Sequence, residues 1–413
     1  MSLSNKPINF SQLLTECGLV SEKTLRDIKL RFPVESTTRQ GLARRLIRQD
    51  LLTTWQLNKL IEGKHQGFLL GAYRLRSHLA RGGMSSLYAA EHIRTSDRRA
   101  LKILPPAKAE KHSYLPRFLR EARLASELQH ENIMKVFEVV RSNKHCPYNF
   151  MAMELLHGRD LFRIVAEDGP ISIRMAAELI RQAAIGLHHA HQQRLVHRDV
   201  KPGNIFLTDS GVVKIIDLGL AAISESFDEH ITRDFDERVI GTADYLAPEQ
   251  AIDSHKTDHR ADIYALGCTF YYLLTGQPPF ADGSLPQRIL AHQMKTPKDV
   301  GEFRRDVPEA IHELLSAMLV KDREQRIQTA ELVAQKLTDW LANTPQPNEV
   351  PDDLANTCDP LLTSFARKLK RLVPAHRRPI AETPTDSIRA GETSTQQPQH
   401  SVERQSQQSS APE

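Results

Sequence analysis

One polar stretch, His197-Arg198-Asp199-Val200-Lys201-Pro202-Gly203-Asn204, carries an aspartate, a lysine two residues on and an asparagine five residues on. The apolar run Ile205-Phe206-Leu207 follows it. Asp217, in Asp217-Leu218-Gly219, comes 18 positions after Asp199 and directly after Val212-Val213-Lys214-Ile215-Ile216. Two strand-like runs thus each stand beside a loop that carries a carboxylate. This set suits phosphoryl transfer, where catalysis is mostly positioning and charge neutralisation. Each of these two carboxylates is a candidate metal ligand. The remaining parts must then come from elsewhere in the chain.

Those parts have an orderly layout. Tyr73–Leu79 alternates as a strand does. Ala80-Arg81-Gly82-Gly83-Met84-Ser85 separates it from Leu87-Tyr88-Ala89-Ala90. Glycines between strands let backbone N–H groups approach phosphate oxygens, although hairpin turns carry glycine for steric reasons alone. Ala100–Leu104 predicts a third strand, with Lys102 among apolar neighbours. Residues 114–128 predict a helix with Leu115, Phe118, Leu119, Ala122, Ala125 and Leu128 on one face. Glu121 lies within it; in isolation it reads as an exposed helix partner. Ile133–Val140 and Phe150–Leu156 predict two more strands, giving a five-stranded sheet with one inserted helix. Helices dominate from Ser172 onward.

Bulk properties bound the rest. The 413 residues suggest two or three domains with linkers. A net charge of +4 gives no field that points to nucleic acid. Cys17, Cys146, Cys268 and Cys358 are scattered, which fits a reducing compartment rather than a zinc or disulfide framework. No apolar run is long enough to cross a membrane, and no signal peptide is evident, so a cytoplasmic protein is expected. Residues 1–70 predict a helical module with an internal repeat. Gly18-Leu19-Val20-Ser21 and Asp50-Leu51-Leu52-Thr53 each place two apolar residues and a hydroxyl N-cap ahead of a helix, 32 residues apart. The module is a candidate for self-association or partner docking. Arg44, Arg45 and Arg48 read as solvated, and no nucleic acid is expected. Beyond Leu341 the composition turns to Pro, Gln, Ser and Thr, as in disordered chain. Leu361, Leu362, Phe365, Leu369 and Leu372 recur there at helical spacing among basic residues, so 361–378 is a candidate for peripheral membrane contact or docking on a protein.

Taken together, the region from Tyr73 to Leu341 resembles a protein kinase of the eukaryotic-like (Hanks-type) serine/threonine class found in bacteria. The resemblance implies an α+β, bilobal kinase fold over 71–341: a five-stranded antiparallel N-lobe with one helix and a mainly helical C-lobe. A small helical module would precede it and a low-complexity tail, 342–413, would follow. It implies ATP with Mg²⁺ or Mn²⁺, and protein substrates. Asp199 resembles the catalytic base, and Lys201 the cation that neutralises the transferred phosphoryl group. Asn204 and Asp217 resemble the metal ligands. Lys102 would meet the α- and β-phosphates and be held by Glu121. Leu79, Gly82, Gly83, Leu87, Ala100, Met153 and Phe206 would line the nucleotide, with Met153 as gatekeeper. Backbone groups from Glu154 to Leu156 would meet the adenine edge, and Asp160 the ribose.

Lys201 and Gly241-Thr242…Ala247-Pro248-Glu249 resemble the serine/threonine class rather than tyrosine-directed or small-molecule kinases. Thr242 would bridge Asp199 and Lys201, Glu249 would pair with Arg326, and Asp262 would anchor the catalytic loop without being catalytic. Ala80 and Ser85 replace the usual outer glycines, and Leu218 the usual phenylalanine. Gly203 removes a carboxylate found in some basophilic kinases, so no strong demand for arginine before the phosphoacceptor is expected. Arg198 would meet a negative charge on the activation segment: a phosphate on Thr232, Ser224 or Ser226, or a carboxylate of Asp234, Asp236 or Glu237. The alternative function is a pseudokinase scaffold, against which stand Lys102, Glu121, Asp199, Asn204 and Asp217 together.

Overall fold

The computed structural model describes residues 10–34, 38–82, 85–109, 114–144, 146–217, 243–253 and 256–344. Expectations for Gly83, Leu218, Thr242, residues 224–237, Cys358 and the 361–378 segment lie outside the described residues.

Four short helices open the chain: α1 (Phe10–Glu16), α2 (Glu22–Arg31), α3 (Arg39–Arg48) and α4 (Thr54–Ile61). The turns α1–α2 and α3–α4 share one hydrogen-bond pattern, 32 residues apart. Leu19 and Val20 N–H donate to Leu14 O at 3.0 and 3.3 Å; Leu51 and Leu52 N–H donate to Leu46 O at the same distances. Each turn passes through left-handed backbone, at Gly18 (φ 66°) and at Asp50 (φ 56°). Glycine enters that region freely, and aspartate is among the few other residues that visit it. Ser21 then caps α2 and Thr53 caps α4, each accepting at 3.1 Å from the N–H three residues on. Leu14, Leu19, Leu25, Ile28, Leu46, Leu52 and Leu60 fill the core between the helices. The Arg45 guanidinium lies 3.1 Å from the Phe32 ring centroid, so this arginine is engaged within the module.

The next region is a twisted antiparallel sheet: β1 (Leu69–Leu70), β2 (Tyr73–Arg81), β3 (Ser86–His92), β4 (Arg98–Leu104), β5 (Val136–Val140) and β6 (Asn149–Glu154), in spatial order β1-β2-β3-β4-β6-β5. It has one strand more than the five expected. The extra strand, β1, spans two residues and pairs with β2, too short a run for any periodic signal. Helices α5 (Pro106–Ala109) and α6 (Tyr114–Glu127) lie between β4 and β5. The expected strand from Ile133 is shortened, because Ile133 forms a parallel bridge to Ile215 instead.

Register divides the sheet into two faces, since side chains alternate along each strand. Leu87 pairs with Lys102 and Lys102 with Met151; Ala89 pairs with Ala100 and Ala100 with Met153. These residues share the face that joins the main core with α6 and the C-lobe. Leu75, Ala90, Leu101, Ile103, Phe150 and Ala152 form the opposite face, and Trp55 of α4 packs on it.

The helical lobe comprises α7 (Leu161–Asp168), α8 (Ile173–Gln192), α9 (Pro248–Ile252), α10 (Arg260–Thr275), α11 (Leu285–Met294), α12 (Val300–Phe303), α13 (Glu309–Met318) and α14 (Ala330–Asn343). A small sheet of β7 (Gly158–Asp160), β8 (Ile205–Thr208) and β9 (Val213–Ile215) joins it. From Ala261 to Leu274 every residue of α10 is buried, and α8 packs against both α10 and α14. These are the rigid supports of the polar loop.

Candidate active site

The loop 197–204 is held from beneath by a buried carboxylate. Asp262, at the start of α10, is fully buried. Its Oδ2 accepts from His197 N–H at 2.8 Å and its Oδ1 from Arg198 N–H at 2.7 Å. His191 Nε2 lies 2.8 Å from Oδ2. Burial alone would raise this carboxyl's pKa; the His191 hydrogen bond and the nearby histidines reverse that and hold it below the usual range. Gln250 of α9 donates to Arg198 O at 2.8 Å. Arg198 is thereby fixed in left-handed backbone, at φ 65°. His191 and Gln250 are supports that no local sequence signal marks, because they reach the loop from distant helices.

On this base the polar side chains close on one another. Lys201 Nζ donates to both oxygens of Asp199 at 2.9 Å. Asn204 Nδ2 donates to Asp199 O at 2.8 Å and to Asp199 Oδ2 at 2.9 Å. The amide therefore spends its donor face on the loop, which leaves Oδ1 as the atom suited to a cation. Ile216 N–H donates to Asn204 O at 2.9 Å and ties the loop to the strand that leads into Asp217. Asp217 also adopts left-handed backbone, at φ 50°.

Lys102 connects the two lobes. Its Nζ donates to Glu121 Oε1 at 2.6 Å and to Asp217 Oδ1 at 2.7 Å. Burial works against the ammonium, but the charges of Asp217 and Glu121 outweigh it and hold its pKa above the ordinary lysine value. Burial pushes the Glu121 carboxyl upward, opposed by Lys102. A cation between two carboxylates, one of them half-exposed on Asp217, can exchange that partner for a phosphate.

The lining residues follow from register. Leu87, Ala100, Met153 and Lys102 share the cleft face of the sheet. Phe206, half-buried on β8, pairs with Asp160 on β7. Asp160 caps α7, accepting from Arg163 N–H at 2.8 Å, and burial raises its pKa. Leu79 is largely exposed on β2, and Gly82 N–H donates to Ser85 O at 2.7 Å where the hairpin turns. Glu154 turns its side chain to Lys135 N–H at 2.7 Å and to Lys214 at 2.9 Å, and its own N–H donates to Lys135 O. It can therefore offer a ligand only its carbonyl, while Leu156 follows two residues on. Away from the cleft, Glu249 and Arg326 form the expected pair, bidentate at 2.7 and 2.9 Å.

The donor set fits a divalent cation with a polyphosphate: amide and carboxylate oxygens and two lysines. Among the described residues no helix is long and apolar enough to cross a membrane.

Comparison with known proteins points the same way. Residues 73–338 match the family model described as protein kinase domain. The chain is 36% identical over 259 residues to the serine/threonine-protein kinase PknB of Mycolicibacterium smegmatis, covering 62% of this chain and 41% of that one. It is 34% identical over 319 residues to PknB of Mycobacterium leprae, covering 76% and 50% respectively. The chain thus spans half or less of the length of these curated relatives. The crystal structure of the Mycobacterium tuberculosis PknI kinase domain is similar at a TM-score of 0.51 and 25% identity, over 66% of this chain and 98% of that one.

Proposed function

Since the chain belongs to the protein kinase family, we propose that it transfers the γ-phosphoryl group of ATP to serine and threonine hydroxyls of proteins, itself included. The observation that carries this reading is Lys102 held jointly by Glu121 and Asp217, facing a loop in which Asp199, Lys201 and Asn204 bind one another. Bound Mg²⁺ would supply charge neutralisation between phosphate oxygens, with Asn204 and Asp217 to hold it. Asp199 orients the substrate hydroxyl and accepts its proton at Oδ1 or Oδ2. Lys201 stays beside Asp199, offsetting charge that develops on the phosphoryl oxygens. Lys102 positions the non-transferred phosphates. Leu87, Ala100, Met153 and Phe206 exclude water around the base, while Leu79 and Gly82 cover the mouth.

The test is autophosphorylation with radiolabelled ATP, with Asp217→Ala as control. Incorporation that depends on Asp217 and falls on serine and threonine supports the reading. Nucleotide binding without transfer would favour the scaffold alternative.

Arg198 supports a regulatory detail of the same reading. Its Nε and Nη1 are buried without a hydrogen-bond partner among the described residues, and burial pulls its pKa down. A desolvated guanidinium of this kind favours an anion, which phosphorylation of Thr232, Ser224 or Ser226 would supply. The carboxylates of Asp234, Asp236 and Glu237 would supply it less fully. A triple alanine variant at the three hydroxyl positions that keeps full activity supports the carboxylates; complete inactivity rules them out.

A further inference from the structure

The helical module is seated on the sheet at one irregular point of β2. The β2–β3 register slips twice, between Leu75 and Ser77 and between His78 and Ala80, and Arg76 occupies the first bulge. A bulge frees backbone groups from the ladder and bends the strand beyond it. Both carbonyls at this bulge are taken by α4. Gln56 Nε2 donates to Leu75 O at 2.6 Å, and Thr53 Oγ1 donates to Arg76 O at 2.6 Å. Gln56 is fully buried.

These two side chains also cap their own helix. Thr53 Oγ1 accepts from Gln56 N–H at 3.1 Å, and Gln56 Oε1 accepts from Thr53 N–H at 2.8 Å. One reciprocal pair therefore starts α4 with its acceptors and grips the bulge with its donors. The Arg76 side chain reaches back to Asp50, whose carboxylate also meets Arg98 at 2.5 Å. Beyond the bulge, Trp55 packs edge-on to Tyr88 at 5.8 Å, and Tyr88 to His78 at 4.9 Å. His78 lies on the arm of β2 that ends at Gly82, six residues after Arg76.

We propose that Thr53, Trp55 and Gln56 are positioning residues for nucleotide binding: by fixing the β2 bulge, the module sets the direction of the arm that carries the glycine turn. The inference rests on the kinase reading only for the identity of the nucleotide. The first copy of the turn provides an internal control. Ser21 and Thr24 occupy the positions of Thr53 and Gln56, 32 residues earlier, but Ser21 is exposed and, among the described residues, its hydroxyl meets only Thr24.

The experiment uses the full chain with Thr53→Val and Gln56→Met, alone and together, beside Thr53→Ser and Ser21→Ala. Binding of Mg²⁺ with a non-hydrolysable ATP analogue is measured by calorimetry, KM for ATP and kcat by phosphotransfer, and folding by thermal melting. The double variant is expected to lose at least about fivefold in analogue affinity and in KM for ATP, with kcat at saturation within about twofold. Thr53→Ser should restore the wild-type values, and Ser21→Ala should leave them unchanged. Unchanged affinity in a folded double variant would overturn the proposal, as would equal loss in Ser21→Ala. If the double variant does not fold, Trp55→Phe, which keeps an aromatic ring, decides: unchanged affinity overturns the proposal and a smaller loss of the same kind supports it. A wild-type chain that binds the analogue but transfers nothing refutes the kinase reading alone, because the affinity comparison needs no transfer.

Discussion

Two cations near opposite faces of the sheet, Lys102 and Arg76, differ in what they can release. Lys102 lies between Glu121 and Asp217 on the cleft side; Arg76 lies between Asp50 and Glu91 on the module side. Arg76 is also tied to a carbonyl, Asp50 O, at 2.8 Å. Its planar fork holds several acceptors at once, and it cannot lose its proton in any ordinary condition. Lys102 is a compact charge with donors that rotate freely among partners. The cleft side holds the cation suited to exchanging partners, and the module side holds the one suited to keeping them. His292 provides the limiting case. It is fully buried in α11 with Lys321 and Arg288 as its charged neighbours, so burial first and Lys321 second push its pKa down to about 3. A buried base without a carboxylate stays neutral.

The largest effect should come from breaking the exchangeable cluster. Lys102→Met is expected to lower kcat/KM by about 10²- to 10³-fold, and Asp217→Ala by at least as much, with the melting temperature little changed. Arg76→Met should do the reverse, and comparable kinetic losses for the two would erase the distinction.

Acid should separate the neutral base from both cations. His292 in the folded chain binds its proton only near pH 3, whereas the unfolded chain binds it near the ordinary 6.5. Between those values the unfolded state holds more protons, so stability falls as pH drops below about 6.5, by up to about 1.4 kcal/mol per pH unit. Urea titrations at pH 7, 6 and 5 should show His292→Gln losing less than wild type; parallel losses would assign the effect to other groups.

Smaller again is the module seam. Asp50→Ala leaves Arg76 with Glu91 and the residue-50 carbonyl, and is expected to cost about 1–3 kcal/mol in urea unfolding, with kcat at saturating ATP unchanged. Smallest is Ser21→Ala, which removes only a helix cap and should cost about 1 kcal/mol or less.

Much of this was legible in the sequence. Strand alternation and the spacing of Asp199, Lys201, Asn204 and Asp217 marked segments that the structure brings together, because local periodicity and short loops fix those residues relative to one another. The β1 strand escaped because two residues carry no period. His191 and Gln250 escaped because their role depends on helices packing at long range. The seat of the module escaped for a different reason. Thr53 read correctly as a helix cap, and nothing in a cap's spacing reveals that the spare donors of Thr53 and Gln56 face a strand bulge 23 and 19 residues away in sequence.

That double engagement has an evolutionary consequence. A side chain that only caps a helix can drift among Ser, Thr, Asp and Asn. Thr53 must both accept and donate, which leaves serine as its simplest substitute. Gln56 must accept at one atom and donate at the other, which glutamate cannot do while ionised. Among homologous chains that retain both turns, positions 53 and 56 should therefore diverge more slowly than 21 and 24. The two matching turns would then age at different rates, with the slower one marking which turn is bound to the sheet.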